Sequence, residues 1–182
     1  MNRVQKYLLI ASFSIAFADS MLLPLYSIFV NKIGGSLIDA GTGYALFSIL
    51  IGVVTIITSK IEWFSRNLKL VMFVGFVIAT LGDFCYILVT DYIELFIVQM
   101  INGVAVGLLN SAWETLYTGS INKGSEYKAW TFWGGGENIS IGVAALVGSI
   151  TVTLFGFNTL FISMTVINII TVYCAFIVYR IK

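Results

Sequence analysis

The sequence predicts an all-α integral membrane protein, a single bundle of six transmembrane helices with both chain ends cytoplasmic, and three observations lead there. Apolar side chains make up 59% of the 182 residues and charged ones only 10%, whereas soluble domains average about 45–50% and about 25%. Apolar stretches of about twenty residues recur, each long enough at about 1.5 Å per residue to cross a hydrocarbon core of about 30 Å. The cations gather on one side: with the first helix starting inside, Arg3, Lys6, Lys60, Arg66, Lys69, Lys123, Lys128, Arg180 and Lys182 are cytoplasmic and Lys32 alone is outside. That is a strong positive-inside bias, and the basic carboxyl end agrees with an even number of crossings.

The predicted spans are 7–30, 36–58, 69–89, 92–118, 128–155 and 157–179, and together they make one domain over 1–182. The first follows Arg3 and Lys6 and runs past Asp19 and Pro24. Its basic start and Ala16-Phe17-Ala18 imitate a secretory leader, but the apolar run resumes through Met21-Leu22-Leu23, so it reads as one uncleaved helix. The second and third spans flank a polar loop at 59–68, and the fourth and fifth flank another at 119–127. The outward connections, 31–35, 90–91 and Gly156, are so short that successive helices must pack as antiparallel neighbours. Division at Thr90-Asp91 gives two groups of three helices running in opposite senses, the arrangement of an inverted repeat. A weak echo between 21–27 and 113–120, each with a Leu-Tyr neighbourhood, is the sequence's own hint of it.

Much chemistry is excluded. Net charge is +1 and no basic run forms a phosphate-binding patch, so nucleic acid is not an expected partner. Histidine is absent, which removes Ser-His catalysis, His-ligated metals and His proton relays. Cys85 and Cys174 fall inside apolar spans, where thiols behave as small hydrophobes. Gly134-Gly135-Gly136 lacks the Lys and the strand of a phosphate loop and reads as a close-packed helix start. No enzyme activity, cofactor or metal is expected.

The informative residues are polar ones within apolar spans. Asp19 sits near the middle of the first span, where a carboxylate costs about 2.5–3.5 kcal/mol unless it faces protein, water or a cation. Tyr26 lies on the same stripe, with Pro24 between them freeing backbone carbonyls. On the fourth span Asn110, Glu114 and Tyr117 are spaced to share a second stripe, extended by Gly103 and Gly107. Asp83 and Glu137 complete four intramembrane acids without Lys or Arg at comparable depth. Unpaired carboxylates there suit proton carriage or cation binding. Gly103 with Gly107, and Ala144 with Gly148, have the spacing that lets membrane helices approach closely. Trp113, Trp130 and Trp133 fall where an interfacial aromatic belt is expected.

Two segments carry a family resemblance. Thr58-Ser59-Lys60-Ile61-Glu62-Trp63-Phe64-Ser65-Arg66-Asn67 resembles the G-x-x-x-D-R-x-G-R-R loop of major facilitator superfamily transporters, with Thr58 and Ser65 for glycines, Glu62 for the acid and Arg66 for one base. Trp63 and Asn67 replace the other basic positions. Gln99-Met100-Ile101-Asn102-Gly103-Val104-Ala105-Val106-Gly107 resembles the R-x-x-x-G-x-x-x-G segment of the fourth helix, with Gln99 for Arg. Ala144-Ala145 stands where the antiporter signature has Gly-Pro, so antiport is not implied.

The resemblance implies a major-facilitator-like half, a 3+3 inverted repeat, in a prokaryotic plasma membrane. The superfamily ordinarily joins two such halves around a central substrate site. It implies a secondary transporter working by alternating access, possible coupling to protons or another cation, Thr58, Glu62, Ser65 and Arg66 in a gating loop, and a small solute or ion as substrate. A second six-helix half is expected, and two copies of this chain inserted in the same sense supply the two-fold axis. The alternative is a non-transporting membrane subunit that pairs with another six-helix chain. A channel is disfavoured by the lack of a repeated filter loop.

Overall fold

The computed structural model describes residues 1–181. Its elements are α1 (Arg3–Leu22), a 3₁₀ turn (Leu23–Leu25), α2 (Tyr26–Lys32), α3 (Leu37–Lys60), α4 (Glu62–Arg66), α5 (Leu68–Cys85), a 3₁₀ turn (Tyr86–Leu88), α6 (Tyr92–Ser120), α7 (Glu126–Phe155) and α8 (Phe157–Arg180). Among the described residues six spans are long and apolar enough to cross a membrane: Arg3–Lys32, Leu37–Lys60, Leu68–Leu88, Tyr92–Ser120, Glu126–Phe155 and Phe157–Arg180.

Local chemistry sets the helix ends. Asn2 caps α1 by accepting the Gln5 N–H at 2.7 Å. Ser36 and Asp39 form a reciprocal capping box on α3. Asp91 accepts from Ile93 and Glu94 N–H while Glu94 reaches back to the Thr90 N–H, which starts α6. Gly156 turns the chain between α7 and α8 at φ +81°, a left-handed conformation that side chains resist. In the first span Pro24 has no N–H to give the Ser20 carbonyl, and the helix tightens into its 3₁₀ turn there.

Two expectations change at helix ends. The first span starts at Arg3, four residues before the predicted boundary, because the Asn2 cap holds the polar first turn in helix. The segment 59–68 is not an open loop: α3 continues to Lys60 and Glu62–Arg66 is helical. Thr58 therefore belongs to α3, buried, with its hydroxyl on the Thr55 carbonyl at 2.9 Å and facing Ser111 of α6 at 3.5 Å.

Around the bundle α6 packs between α3 and α5, α1 packs between α7 and α8, and α5 packs on α8. This pattern is unchanged when the first three spans exchange with the last three. The caps keep the same register: Asn2 and Asp91, Ser36 and Ser125, Asn67 and Gly156 precede matching helices at a constant separation of 89 residues. Successive spans alternate in direction, so the two triplets are an inverted pair. The echo read between 21–27 and 113–120 is out of this register, which places Met21 opposite Asn110.

Two apolar cores result. One, at the end carrying the termini, contains Leu8, Met72, Phe76, Trp113, Tyr117 and Val178. The other, at the opposite hairpin end, contains Met21, Phe29, Tyr86, Phe157, Phe161 and Met164. Between them along α5, α6 and α8 lie Asp83, Asn102, Asn168 and Thr171, all buried polar residues. Burial is uneven: 11% of the most apolar windows of α3 and α7 is buried, against 39–44% in the other four spans. A lone α3 or α7 therefore presents most of its surface outward.

Candidate functional site: a central crevice

Because α1 and α6 touch only lightly, a crevice remains between them. They meet at the terminal end, where Asn2 Nδ2 donates to the Ser120 carbonyl at 2.7 Å and Trp113 Nε1 to the Leu8 carbonyl at 3.0 Å. Beyond that the crevice widens into two cavities. The hairpin-end cavity, about 380 Å³, has Asp19 and Tyr26 on one side, Gln99 and Asn102 on the other, and Asp83 and Tyr86 of α5 behind. The terminal-end cavity, about 340 Å³, has Ser12 and Asp19 facing Asn110 and Glu114, with Trp133 and Glu137 of α7 closing one flank. Asp19 and Val106 line both. The inverted repeat is visible here too, since α3 contributes Tyr44 and Phe47 to one cavity and its counterpart α7 contributes to the other. Asp19 thus stands where the two cavities meet, its side chain accessible from the crevice.

The structure brings Asp19, Tyr26 and Asp83 together at one cavity, and Asp19, Asn110, Glu114 and Glu137 at the other. The Tyr26 hydroxyl lies against Gly43 of α3 and is buried without a hydrogen-bond partner among the described residues. Asp83 differs from the expected bare carboxylate. Its Oδ2 accepts from Asn168 Nδ2 at 2.6 Å, and Thr171 Oγ1 donates to Asn168 Oδ1 at 3.3 Å. A neutral amide, rather than a cation, satisfies that acid. Neither Asn168 nor Thr171 stands out in the sequence, because one Asn in an apolar helix has no partner until the fold supplies it.

Tyr117 is not in the crevice. It is fully buried, stacks on Trp113 at 4.8 Å between centroids, and donates its hydroxyl to the Ala129 carbonyl at 2.8 Å. The stripe predicted on α6 splits because successive turns meet different neighbours. Gly103 and Gly107 face α3, where an added Cβ would lie 2.7 Å from the Phe47 carbonyl oxygen and 2.7 Å from Val54 Cβ. Asn110 and Glu114 face the cavity, and Tyr117 faces α7.

The tryptophans also depart from expectation. Trp113, Trp130 and Trp133 pack edge to face or tilted with centroids 5.3–6.4 Å apart, and Trp133 Nε1 donates to Ser12 Oγ at 2.9 Å. They are a seal between α1, α6 and α7 rather than a belt turned to lipid. Such aromatic pairs contribute about 0.5–1.5 kcal/mol each beyond area burial.

Ala144 and Gly148 of α7 are buried, and a Cβ at 148 would strike the Met21 backbone. Gly136 likewise accepts the Phe13 ring. At the terminal-end surface Glu62 and Arg66 pair at 2.6 Å, both largely exposed, and Ser65 Oγ donates to the Glu62 carbonyl. An exposed pair of this kind contributes little to stability.

Six apolar spans around a polar crevice, with acids accessible at mid-helix, define a multi-pass integral membrane protein of the solute-handling kind. The chain matches the Major Facilitator Superfamily over residues 8–182 and belongs to it. Among curated proteins none matches the chain. The superfamily is one of transporters, so the chain is of the major facilitator transporter type.

Proposed function

We propose that the protein is a secondary transporter of a small solute, and that its six-helix unit completes its pathway against a second copy of itself. The observation that carries the reading is the meeting of two opposed cavities at Asp19 and Val106. Inverted repeats give one site two routes, and rocking one unit against another opens each in turn. Asp19, Asn110 and Glu114 are accessible on a face flanked by the sparsely buried α3 and α7. Left to lipid, a single mid-membrane carboxylate costs about 2.5–3.5 kcal/mol, and a facing copy replaces that lipid with protein and water. In this reading Asp19 binds substrate or the coupling ion, proton or other cation, and Asp83 and Glu137 assist from behind and beside it. The α4 turn, with Glu62 and Arg66, belongs to the gate at the terminal end. In this reading the terminal end faces the cytoplasm, which the gathering of Lys and Arg there supports.

Cysteine accessibility tests this. With Cys85 and Cys174 replaced by Ala and Val106→Cys introduced, an impermeant maleimide is expected to label the protein from either side of the membrane. Labelling from one side only would reject alternating access and favour a non-transporting subunit.

A further inference from the structure

We infer that the groove between α1 and α8 at the terminal end holds one anionic phospholipid, its phosphate between Arg3 and Arg180 and an acyl chain along the outer face of α8. The inference needs only that the chain spans a membrane, and it stands apart from the transport reading.

The groove is separate from the crevice. Its open volume is about 520 Å³, and its walls are Arg3 of α1 with Tyr173, Phe176, Ile177, Arg180 and Ile181 at the end of α8. None of these residues lines either cavity of the crevice. Tyr173 is 62% exposed and Phe176 38%, so this face of α8 has no helix covering it.

Position along α8 decides the shape of the ligand. Tyr173, Phe176, Ile177 and Arg180 recur at helical spacing and share one face. Ile169 and Val166 extend that face toward the hairpin end, both more than half exposed. From Arg180 to Ile169 the strip rises about 16 Å at about 1.5 Å per residue, which is about half of a ~30 Å hydrocarbon core and so the depth of one leaflet. A charged mouth over an apolar strip of that length fits a lipid and not a soluble anion.

Charge decides the headgroup. Arg3 and Arg180 come from opposite ends of the sequence and converge on one groove, which a general inward bias of cations does not require. The Arg180 guanidinium stands over the Phe176 ring at 4.8 Å, a contact that orders the side chain through its charge. Among the described residues the one ion pair is Glu62 with Arg66, so no carboxylate there neutralises either groove arginine. Lys69 of α5 donates to the Ile181 carbonyl, which fixes the rim of the groove and sets a third cation beside it. Guanidinium groups bind phosphate oxygens through paired N–H bonds, and basic pockets between membrane helices favour anionic headgroups. A zwitterionic lipid would bring its ammonium up against three cations.

Native mass spectrometry of the purified full chain in detergent, titrated with phosphatidylglycerol or with phosphatidylcholine of the same acyl chains, tests the assignment. One phosphatidylglycerol is expected to bind first, at least about tenfold more tightly than phosphatidylcholine. Arg3→Gln and Arg180→Gln should each weaken it about fivefold, the equivalent of about 1 kcal/mol per cation. Arg180→Lys keeps the charge without the fork and should weaken it about twofold. Lys123→Gln combined with Lys128→Gln removes two exposed cations from the same end and should leave binding unchanged. Millimolar inorganic phosphate or glycerophosphoglycerol should not displace the lipid. Each variant is checked for unaltered elution and melting, and Arg180→Lys reads the same groove if a Gln variant misfolds. Equal binding of the two lipids, or equal weakening by the Lys123 and Lys128 pair, overturns the site and leaves a diffuse basic belt. Displacement by inorganic phosphate overturns the lipid as its occupant.

Discussion

Gly148→Ala is the most direct test of how α1 and α7 are held together. A Cβ at that position would lie 2.8 Å from both the Met21 Cα and its carbonyl carbon, and nearer still to the carbonyl oxygen, while ordinary contact begins near 3.4 Å. All three atoms are backbone, so no rotamer change relieves the clash, and Met21 is itself only 1% exposed. The helices must part by at least about half an ångström, and overpacking of this kind costs about 1–3 kcal/mol. At about 2–4 °C per kcal/mol for a chain of this size, the melting temperature in detergent should fall by several degrees. Gly142→Ala on the same helix is the control, since nothing lies within 4 Å of its added Cβ. Both substitutions change helix propensity equally, so their difference isolates the contact. Because Asp19 is two residues from Met21, Gly148→Ala should also disturb the cavity junction. Equal melting of the two variants would refute the packing described for α1 and α7.

Other outcomes follow from the same geometry. Asn168→Leu removes the donor held by Asp83 and should destabilise the protein by about 1–3 kcal/mol, whereas Asp83→Asn keeps an acceptor and should cost less; denaturant titration in detergent compares them. Tyr117→Phe loses one hydrogen bond to the Ala129 carbonyl and should cost about 0.5–1.5 kcal/mol without altering the labelling of Val106→Cys, and a loss of labelling would return Tyr117 to the crevice. Arg66→Gln breaks only an exposed pair, so melting should change by less than about 1 kcal/mol equivalent. Single-molecule photobleaching in native membrane fragments should count two copies per spot, and a uniform single step would remove the second copy from the proposal.

How much of this was legible in the sequence depends on which distances matter. Lipid solvation acts on each span separately, so length and apolarity alone determined six crossings, and Lys and Arg positions alone gave the expected orientation. The short connections dictated antiparallel neighbours. Small residues at 103, 107, 144 and 148 announced close approaches, though not the partners, because periodicity defines a face and not what faces it. Asp19 stood out since a mid-span carboxylate is costly wherever it points. Tertiary structure decided the rest. Tyr117 left its stripe because α7 crosses α6 at that turn, the tryptophans became a seal because three helices converge there, and Thr58 became a packing residue because α3 runs on past it. Asp83 acquired Asn168 across 85 residues of chain, and Asn102 came to rest against Gly82 with an oxygen unused among the described residues. The sequence determined which groups hydrocarbon would not tolerate alone; only the packing of helices distant in the chain decided which were satisfied and which were left facing the crevice.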